Sequence, residues 1–260
     1  MKFKKQFTIP LTYFLTTCFI PQGVAQQVDS PATTVVTEAT TEIAQPQASL
    51  APFSARYIAY RNGSDIGHAV MSLEKTDAGY KLFYKSDVSI FFLSDRRAET
   101  SLFDVVEGQF VPQKYQYKRE GTGPDKSLSL TFNDKDQSVV IKSGRKDPAT
   151  INWQGEWDNQ LYRFDLQRQL KLKNQDISYN LINYRGQLKT YGFEIAGEEV
   201  LELPFGKLNT IKVKTIRSSN KRVTWSWFAP DLNYQLVRLQ QFKDGDEQGD
   251  IQLSEYKLLN

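Results

Sequence analysis

Residues 53–69, FSARYIAYRNGSDIGHA, combine a two-residue alternation with a tight turn. Apolar or small side chains occupy every second position, and Asn62 and Gly63 follow them. Such alternation is typical of a strand with one buried and one wet face, and Asn-Gly is the preferred sequence of a two-residue hairpin turn. The stretch predicts a β-hairpin whose buried face carries Phe53, Ala55, Tyr57 and Ala59.

The same pattern recurs along the chain. Leu128, Leu130 and Phe132 alternate with polar residues, and short turn sequences rich in Gly, Asn and Asp separate the apolar runs. Sequential hairpins favour an antiparallel meander that curls into a barrel or half-barrel, because curvature or closure removes exposed sheet edges. We therefore predict a mainly all-β fold that forms a single domain over residues 52–260.

One stretch breaks the alternation and predicts an inserted α-helix near residues 158–173. Its sequence, WDNQLYRFDLQRQLKLKN over 157–174, offers Asp158 as a helix N-cap and lysines at the C-terminal end, where they suit the helix dipole. The helix could plug the concave face of the sheet or pack on its outside. Its apolar side is formed by Leu161, Tyr162, Leu166 and Leu170.

The first 25 residues have the parts of a secretory signal peptide: a basic start, an apolar stretch and a small-residue end at Ala25. Pro10 and several threonines make the stretch too irregular for a spanning helix. The sequence before Cys18, Leu-Thr-Thr, invites comparison with a lipoprotein acylation site, but Thr17 fits that site badly. We expect cleavage after Ala25 and a periplasmic mature chain with neither a lipid on Cys18 nor a transmembrane segment.

Composition and charge narrow the classes of partner. Residues 26–51, rich in Thr, Ala, Pro and Gln and without aromatic residues, predict a disordered spacer. Loss of residues 1–25 removes three lysines and no acid, which leaves 30 basic and 30 acidic residues. A neutral chain lacks the dense basic face of a nucleic-acid-binding protein, so we expect no nucleic-acid partner.

Few residues could carry catalysis. His68 is the only histidine, and a cleaved chain has no cysteine, so the usual nucleophile-and-base arrangements lack parts. We predict no catalytic residue, no metal site and no cofactor. Glu99 keeps a carboxylate-based hydrolase open as an alternative, although a cross-strand ion pair of Glu99 with Arg97 or Arg119 is the simpler expectation.

Aromatic residues suggest a binding surface. In TWSWFAPD, residues 224–231, strand geometry puts Trp225 and Trp227 on one face. We expect this face to line the concavity, with Trp225 as core and Trp227 as a ligand platform at the rim. The predicted ligand-binding residues are Trp225, Trp227, Tyr57, Tyr84, Tyr115 and Tyr117, with Arg97, Glu99 and Arg119 as polar contacts.

Five stretches of strand and turn sequence stand in a recognisable order: FSARYIAYRNGSDIGHA (53–69), RRAETSLFD (96–104), VPQKYQYKREG (111–121), LPFGKLNTIKV (203–213) and RVTWSWFAPDLNYQLVR (222–238). Together they resemble an exported bacterial family, the domain of unknown function 3108. The resemblance covers residues 53–260, and Leu236 departs from it because the family tends to place a proline there. The resemblance implies no activity, since the family has none assigned, and its outline is similar to the half-barrels of periplasmic lipoprotein carriers.

Two functions remain from different classes, besides the hydrolase. The first is a non-catalytic protein that binds a lipid or other amphipathic envelope component on a concave β surface. The second is a scaffold of cell-envelope assembly, with a filled core and a protein partner. The space enclosed by the sheet discriminates between them, because a ligand carrier needs a mostly apolar cavity and a scaffold does not.

Overall fold

The computed structural model describes residues 50–259. The predicted signal peptide, Cys18 and all but the last two residues of the predicted spacer lie outside them. The described residues form fifteen strands, one α-helix and a 3-10 turn over Pro230–Leu232. In chain order they are β1 (Phe53–Arg61), β2 (Ser64–Thr76), β3 (Gly79–Ile90), β4 (Leu93–Val106), β5 (Gln109–Gly121), β6 (Lys126–Asn133), β7 (Ser138–Ser143), β8 (Ala149–Asn152), β9 (Trp157–Asp158), α1 (Leu161–Lys171), β10 (Ile177–Ile182), β11 (Leu188–Leu203), β12 (Gly206–Ile216), β13 (Arg222–Ala229), β14 (Gln235–Lys243) and β15 (Asp246–Leu258).

All fifteen strands belong to one curved, open sheet. Its order runs from β8 back to β1 and then from β15 back to β9, so the first and last strands pair in the middle. Neighbouring strands pair antiparallel, except that the short β9 runs parallel to β10. The predicted antiparallel curved meander is confirmed.

The hairpin predicted from residues 53–69 forms as expected. The side chains of Phe53, Ala55, Tyr57 and Ala59 are buried on one face of β1. Asn62 and Gly63 take positive φ angles of 49° and 79°, as a two-residue turn between twisted strands requires. Alternation in the sequence therefore identified the buried face of the sheet.

The predicted helix is confirmed, with bounds inside the expected range. The Asp158 Oδ1 atom accepts the N–H groups of Gln160 at 2.8 Å and Leu161 at 2.7 Å, which satisfies donors that a helix start leaves without partners. Arg168 and Lys171 occupy the last turn, where cations suit the helix dipole. Asp158 thus makes the hydrogen bonds expected of a cap, but it is not the N-cap residue as predicted: that position is Gln160, and the helix begins at Leu161.

The helix lies inside the curve of the sheet. Phe164 contacts rings on β1, β4 and β5 at centre distances of 5.5–6.2 Å, whereas Tyr162 contacts rings on β10 and β11 at 5.8–6.1 Å. A helix outside the sheet could not reach strands so far apart in the sheet order, so the sheet wraps around α1. The rings are Phe53, Phe103 and Phe110 for Phe164, and Tyr179, Tyr191 and Phe193 for Tyr162.

The helix divides the concave space into two halves. At its C-terminal end, Arg168 Nη2 donates to Gln109 Oε1 and Lys171 Nζ donates to Asn233 Oδ1, both at 2.9 Å. We call this half, which ends at the β4–β5 turn and the 3-10 turn, the closed half. The open half ends at the β1–β2 and β3–β4 turns, beyond the first residues of α1.

Candidate functional site

Polar groups of the concave surface collect where the start of α1 meets β4. On β4, Glu99 and Ser101 point toward the helix and lie opposite the tyrosines of β5, because directly opposed residues share a face of the sheet. The segment before and within the first helical turn supplies the other groups. We define the concave cluster as Glu99, Ser101, Tyr115, Asp158, Asn159 and Arg163.

Glu99 is held by neutral donors rather than by a close cation. Its Oε2 atom accepts hydrogen bonds from the Tyr115 hydroxyl at 2.7 Å and from Asn159 Nδ2 at 2.8 Å. The Arg163 Nη1 atom lies 3.9 Å from Glu99 Oε1, which is beyond hydrogen-bond distance. Burial and the neighbouring Glu99 carboxylate raise the pKa of Tyr115 well above its usual value. Tyr115 therefore stays protonated and keeps donating to Glu99.

Asp158 is the most deeply buried carboxylate of the concave cluster. Besides the two backbone N–H groups of the helix start, its Oδ1 atom accepts the Ser101 hydroxyl at 2.9 Å. Its Oδ2 atom and the Gln160 Nε2 atom are buried without a hydrogen-bond partner among the described residues. Burial raises the pKa of Asp158 to about 6, against the opposing effect of the hydrogen bonds from Leu161, Gln160 and Ser101.

Arg163 links the concave cluster to the open half. Its Nε atom donates to the Tyr162 hydroxyl at 3.1 Å, and its guanidinium lies 5.5 Å from the centre of the Tyr162 ring. Although α1 lies inside the sheet, 40 % of the Arg163 side chain is exposed. Solvent therefore reaches the inner surface of the open half.

Apolar side chains of the open half are only partly covered. Met71 on β2 pairs with Tyr84 on β3, and Leu239 on β14 pairs with Ile251 on β15. All four are half-buried, whereas Leu73, two residues beyond Met71 on the same face, is fully buried. The open half therefore presents an apolar wall beside the polar groups around Arg163.

The predicted tyrosines all lie on the concave face, but three of the four are core residues. Tyr57, Tyr115 and Tyr117 are buried, and the Tyr57 hydroxyl donates to the Leu236 carbonyl at 2.9 Å. Tyr84, opposite Glu99 on β4, is half-buried and faces the open half. The structure thus brings Tyr84, Tyr115 and Tyr117 together around Glu99, and their role in binding stays a prediction.

The two tryptophans lie on the outer face of the sheet, contrary to the prediction. Phe228 and Val213 pack with the helix residue Tyr162, and alternation turns Trp225 and Trp227 the other way. Trp227 is 2 % exposed and Trp225 is half-buried. This order is the reverse of the prediction, which placed Trp225 in the core and Trp227 on a ligand platform.

Side chains of neighbouring strands cover the outer-face tryptophans. The Lys212 Nζ atom lies 5.0 Å and 5.1 Å from the ring centres of Trp225 and Trp227, and the Arg238 guanidinium lies 4.8 Å from Trp227. The Trp227 Nε1–H donates to Glu199 Oε1. Trp227 also belongs to an apolar cluster that includes Leu208 and Val237, and Trp225 packs against that cluster. Packing, cation and hydrogen-bond contacts therefore account for these rings without a concave ligand.

The expected ion pair of Glu99 with Arg97 or Arg119 is also wrong. Both arginines bind Asp95 instead, with Nε–Oδ distances of 2.7 Å for Arg97 and 3.0 Å for Arg119. The reason is register: Arg97 and Arg119 lie directly opposite each other, and Asp95 is the acid two residues from Arg97 on the same face. Glu99 is left to bind Tyr115 and Asn159.

Sequence reasoning named Glu99 and Tyr115 of the concave cluster and Asp158 as a helix cap, but it missed Ser101, Asn159 and Arg163. A usable signal existed on β4, where the polar Glu99 and Ser101 share the inward face with the buried Phe103. Polar residues at core positions need buried partners. No comparable signal marks Arg163, because its neighbours alternate between the two sides of a helix that touches the sheet all round.

Three further observations concern the described residues outside the concave cluster. An open groove of about 500 Å³ lies mainly on the outer face of β4 to β7, away from the concave cluster. Among residues 50–259, no group of three or more His, Cys, Asp or Glu side chains is placed to hold a metal. No helix in that part of the chain is long and apolar enough to cross a membrane.

Three known structures are similar to this chain at very low sequence identity, and the first of them, with a TM-score of 0.59, shares its fold. A β-barrel-like protein of domain of unknown function DUF1849 from Brucella abortus is 9 % identical, with a TM-score of 0.59 and coverage of 82 % of this chain and 99 % of its own. An exported Bacteroides fragilis protein with a YmcC-like fold is 12 % identical, with a TM-score of 0.31 and coverages of 80 % and 97 %. A Parabacteroides distasonis lipoprotein is 14 % identical, with a TM-score of 0.31 and coverages of 82 % and 97 %.

Sequence comparison gives the family. No curated protein matches the chain. The family described as "Protein of unknown function (DUF3108)" matches over residues 55–252, which confirms the resemblance seen in the strand and turn motifs. The chain therefore belongs to the DUF3108 family of proteins of unknown function.

Proposed function

We propose that this is an exported, non-catalytic envelope protein that binds a lipid or another amphipathic molecule in the open half of its concave surface. One observation carries the proposal: the Arg163 side chain lies inside the curved sheet and is still 40 % exposed. Exposed surface within a concavity leaves space that a ligand can occupy. Export to the periplasm is supported by the basic and apolar start of the sequence.

The chemistry of the open half suits an amphipathic ligand. Met71, Tyr84, Leu239 and Ile251 offer half-buried apolar surface, and covering it would remove that surface from water. Arg163 offers a charged group at the inner end of the same wall. A ligand with an apolar chain and a polar end matches both features.

The two carboxylates of the concave cluster support a non-catalytic role. Glu99 is engaged with Tyr115 and Asn159, and Asp158 with the backbone of the helix start. A carboxylate-based hydrolase would need such a group within reach of a substrate proton. In this protein both groups position the helix.

An interaction protein is the second candidate, and the β3–β4 turn favours it. Phe91 and Phe92 form this turn and are 97 % and 90 % exposed. Phe91 also has a φ of 54°, a left-handed conformation that bulky residues rarely adopt. Two exposed aromatic rings at a strained turn would suit contact with an envelope protein partner.

Blocking the open half tests the ligand proposal. We would titrate the purified protein with a fluorescent fatty-acid analogue and compare the wild type with Met71→Trp, whose larger ring fills space beside Tyr84. We expect Met71→Trp to weaken uptake several-fold. Ser72→Trp is the matched control, since Ser72 is the next residue of β2 and faces outward.

The outcomes separate the two candidates. Equal uptake by wild type and Met71→Trp would place the ligand elsewhere. No uptake by the wild type, together with capture of an envelope protein that is lost in a Phe91→Ser, Phe92→Ser variant, would favour the interaction protein. Native mass spectrometry of protein purified from its own envelope would identify a bound lipid directly.

A further inference from the structure

The guanidinium groups of two arginines lie against neighbouring tyrosine rings of the concave surface. The Arg163 guanidinium lies 5.5 Å from the centre of the Tyr162 ring, and the Arg217 guanidinium lies 4.8 Å from that of Tyr191. The two rings contact each other at 6.0 Å. Two segments far apart in sequence, α1 and the residue that follows β12, therefore bring two cations to one part of the concavity.

Both arginines have hydrogen-bonding capacity to spare. A guanidinium carries five N–H donors. Arg217 Nη1 is buried and has no hydrogen-bond partner among the described residues. Arg163 uses its Nε atom on the Tyr162 hydroxyl, and its Nη1 atom is too far from Glu99 for a hydrogen bond. Buried donors without acceptors are disfavoured, so this surface lacks an acceptor.

Nearby acids balance the charge at this place only in part. Glu99 faces Arg163 at 3.9 Å and offsets its charge, although the Glu99 Oε2 atom accepts its hydrogen bonds from Tyr115 and Asn159 rather than from Arg163. No ion pair is observed for Arg217 among the described residues. Arg97, farther out, is neutralised by Asp95. An incoming anion would complement the two arginines.

We infer that Arg163 and Arg217 together bind the acidic group of an anionic amphiphile, a carboxylate or a phosphate. The apolar part of the molecule lies along the wall formed by Met71 and Leu239. Planar guanidinium groups suit these anions because they donate paired hydrogen bonds to two oxygens. The inference rests on the proposed function and specifies the chemical class of its ligand.

The experiment compares ligands with the same chain and different head groups. We would measure dissociation constants of dodecanoate, dodecyl phosphate, dodecanol and inorganic phosphate by isothermal titration calorimetry on the wild type. The same titrations would be made on Arg163→Gln, Arg217→Gln and the control Arg56→Gln, which alters an exposed arginine of β1. Thermal melting of each variant shows whether it folds. If Arg163→Gln does not fold, the Arg217→Gln variant is sufficient to test the inference.

We expect the wild type to prefer at least one anionic ligand over dodecanol by about tenfold or more, the usual effect of hydrogen bonds to charged groups. Arg217→Gln should abolish most of this preference and leave dodecanol binding unchanged, and Arg56→Gln should behave as wild type. Preference for dodecanoate or for dodecyl phosphate identifies the head group. Arginine-dependent binding of inorganic phosphate alone supports the anion site and contradicts the amphiphile.

Two results would overturn the inference. Equal binding of dodecanoate, dodecyl phosphate and dodecanol by the wild type would show that the open half binds apolar chains regardless of the charge of the head group. The proposed function would still stand in that case. A preference for anions that persists in a folded Arg217→Gln variant would place the anion at other residues. Failure of all four ligands to bind would instead remove the proposed function together with the inference.

Discussion

The closed and open halves of the concavity are built from the same strands but packed differently. In the closed half, Phe164 inserts among rings from β1, β4 and β5, and side chains such as Leu73 are fully buried. In the open half, Met71 on the same face of β2 is half-buried and Arg163 is exposed to solvent. Because α1 does not run the full length of the concavity, it forms a packed core at one end and leaves an accessible surface at the other.

The largest expected effect is in the closed half. Phe164→Ala should lower the free energy of unfolding by about 3–5 kcal/mol, the range for removing a buried large aromatic side chain. Three aromatic neighbours, Phe53, Phe103 and Phe110, would lose a packed partner. Urea denaturation followed by tryptophan fluorescence measures the loss. A loss below about 1 kcal/mol, typical of surface changes, would mean that the helix does not plug the sheet.

The outer face gives a comparison of similar size. Trp227→Ala should cost about 3–5 kcal/mol of unfolding free energy, because the ring is buried and donates to Glu199. Trp225→Ala should cost less, about 1–2 kcal/mol, since this ring is only half-buried at the edge of the apolar cluster and contacts two lysine side chains.

Equilibrium unfolding of the two tryptophan variants in parallel tests this order. Neither substitution should change uptake of the fluorescent fatty-acid analogue, because both rings lie outside the concavity. Loss of uptake in a stably folded Trp225→Ala variant would bring the outer face back as a binding surface.

The difference between the halves also marks where sequence patterns suffice. Alternation in residues 53–59 and the turn at Asn62 predicted strand, face and hairpin, because these depend on neighbours in the chain. The same reasoning placed Trp225 and Trp227 on one face but gave the wrong face. Which side of a strand meets the core depends on strands that pair with it across long sequence separations.

The concave cluster depends still more on contacts between distant segments. Asp158 was recognised as a helix cap, which is a local role, but its bond with Ser101 joins residues 57 positions apart. Likewise, the Asp95 carboxylate takes both arginines that sequence spacing offered to Glu99. Charge partners compete for each other in three dimensions, and the sequence does not show which competitor is nearer.

At the boundary between the halves, Asp158 should make stability depend on pH. Its pKa rises from 3.8 in the unfolded chain to about 6 in the folded protein, so the folded state holds the proton more tightly. The stabilisation is fully present below pH 3.8 and is lost as pH rises through about 6. Two pKa units correspond to about 3 kcal/mol.

Asp158→Asn isolates this contribution. Asparagine keeps an oxygen to accept the N–H groups of Gln160 and Leu161 and does not titrate. The difference in unfolding free energy, wild type minus variant, should therefore fall by about 2 kcal/mol between pH 4 and pH 6, the larger part of the total of about 3 kcal/mol. Urea titrations at half-unit steps measure it. Asp95, whose pKa is lowered by Arg97 and Arg119 despite partial burial, acts in the opposite direction and cancels because both proteins contain it. A difference that stays flat or rises would show that Asp158 is charged in the folded protein.

The smallest expected effect is in the open half, where a matched pair of substitutions on one face of β2 compares the halves directly. Leu73→Ala should cost about 2–5 kcal/mol, because its fully buried side chain would leave a cavity in the closed half. Met71→Ala, two residues away, should cost about 1 kcal/mol or less, because a half-buried side chain beside solvent leaves no enclosed cavity. The effects on ligand uptake should have the opposite order. Uptake of the fatty-acid analogue should be weaker in Met71→Ala and unchanged in a Leu73→Ala protein that remains folded. Equal losses of stability at the two positions would mean that the open half is packed as tightly as the closed half, and a ligand would then have no space to enter.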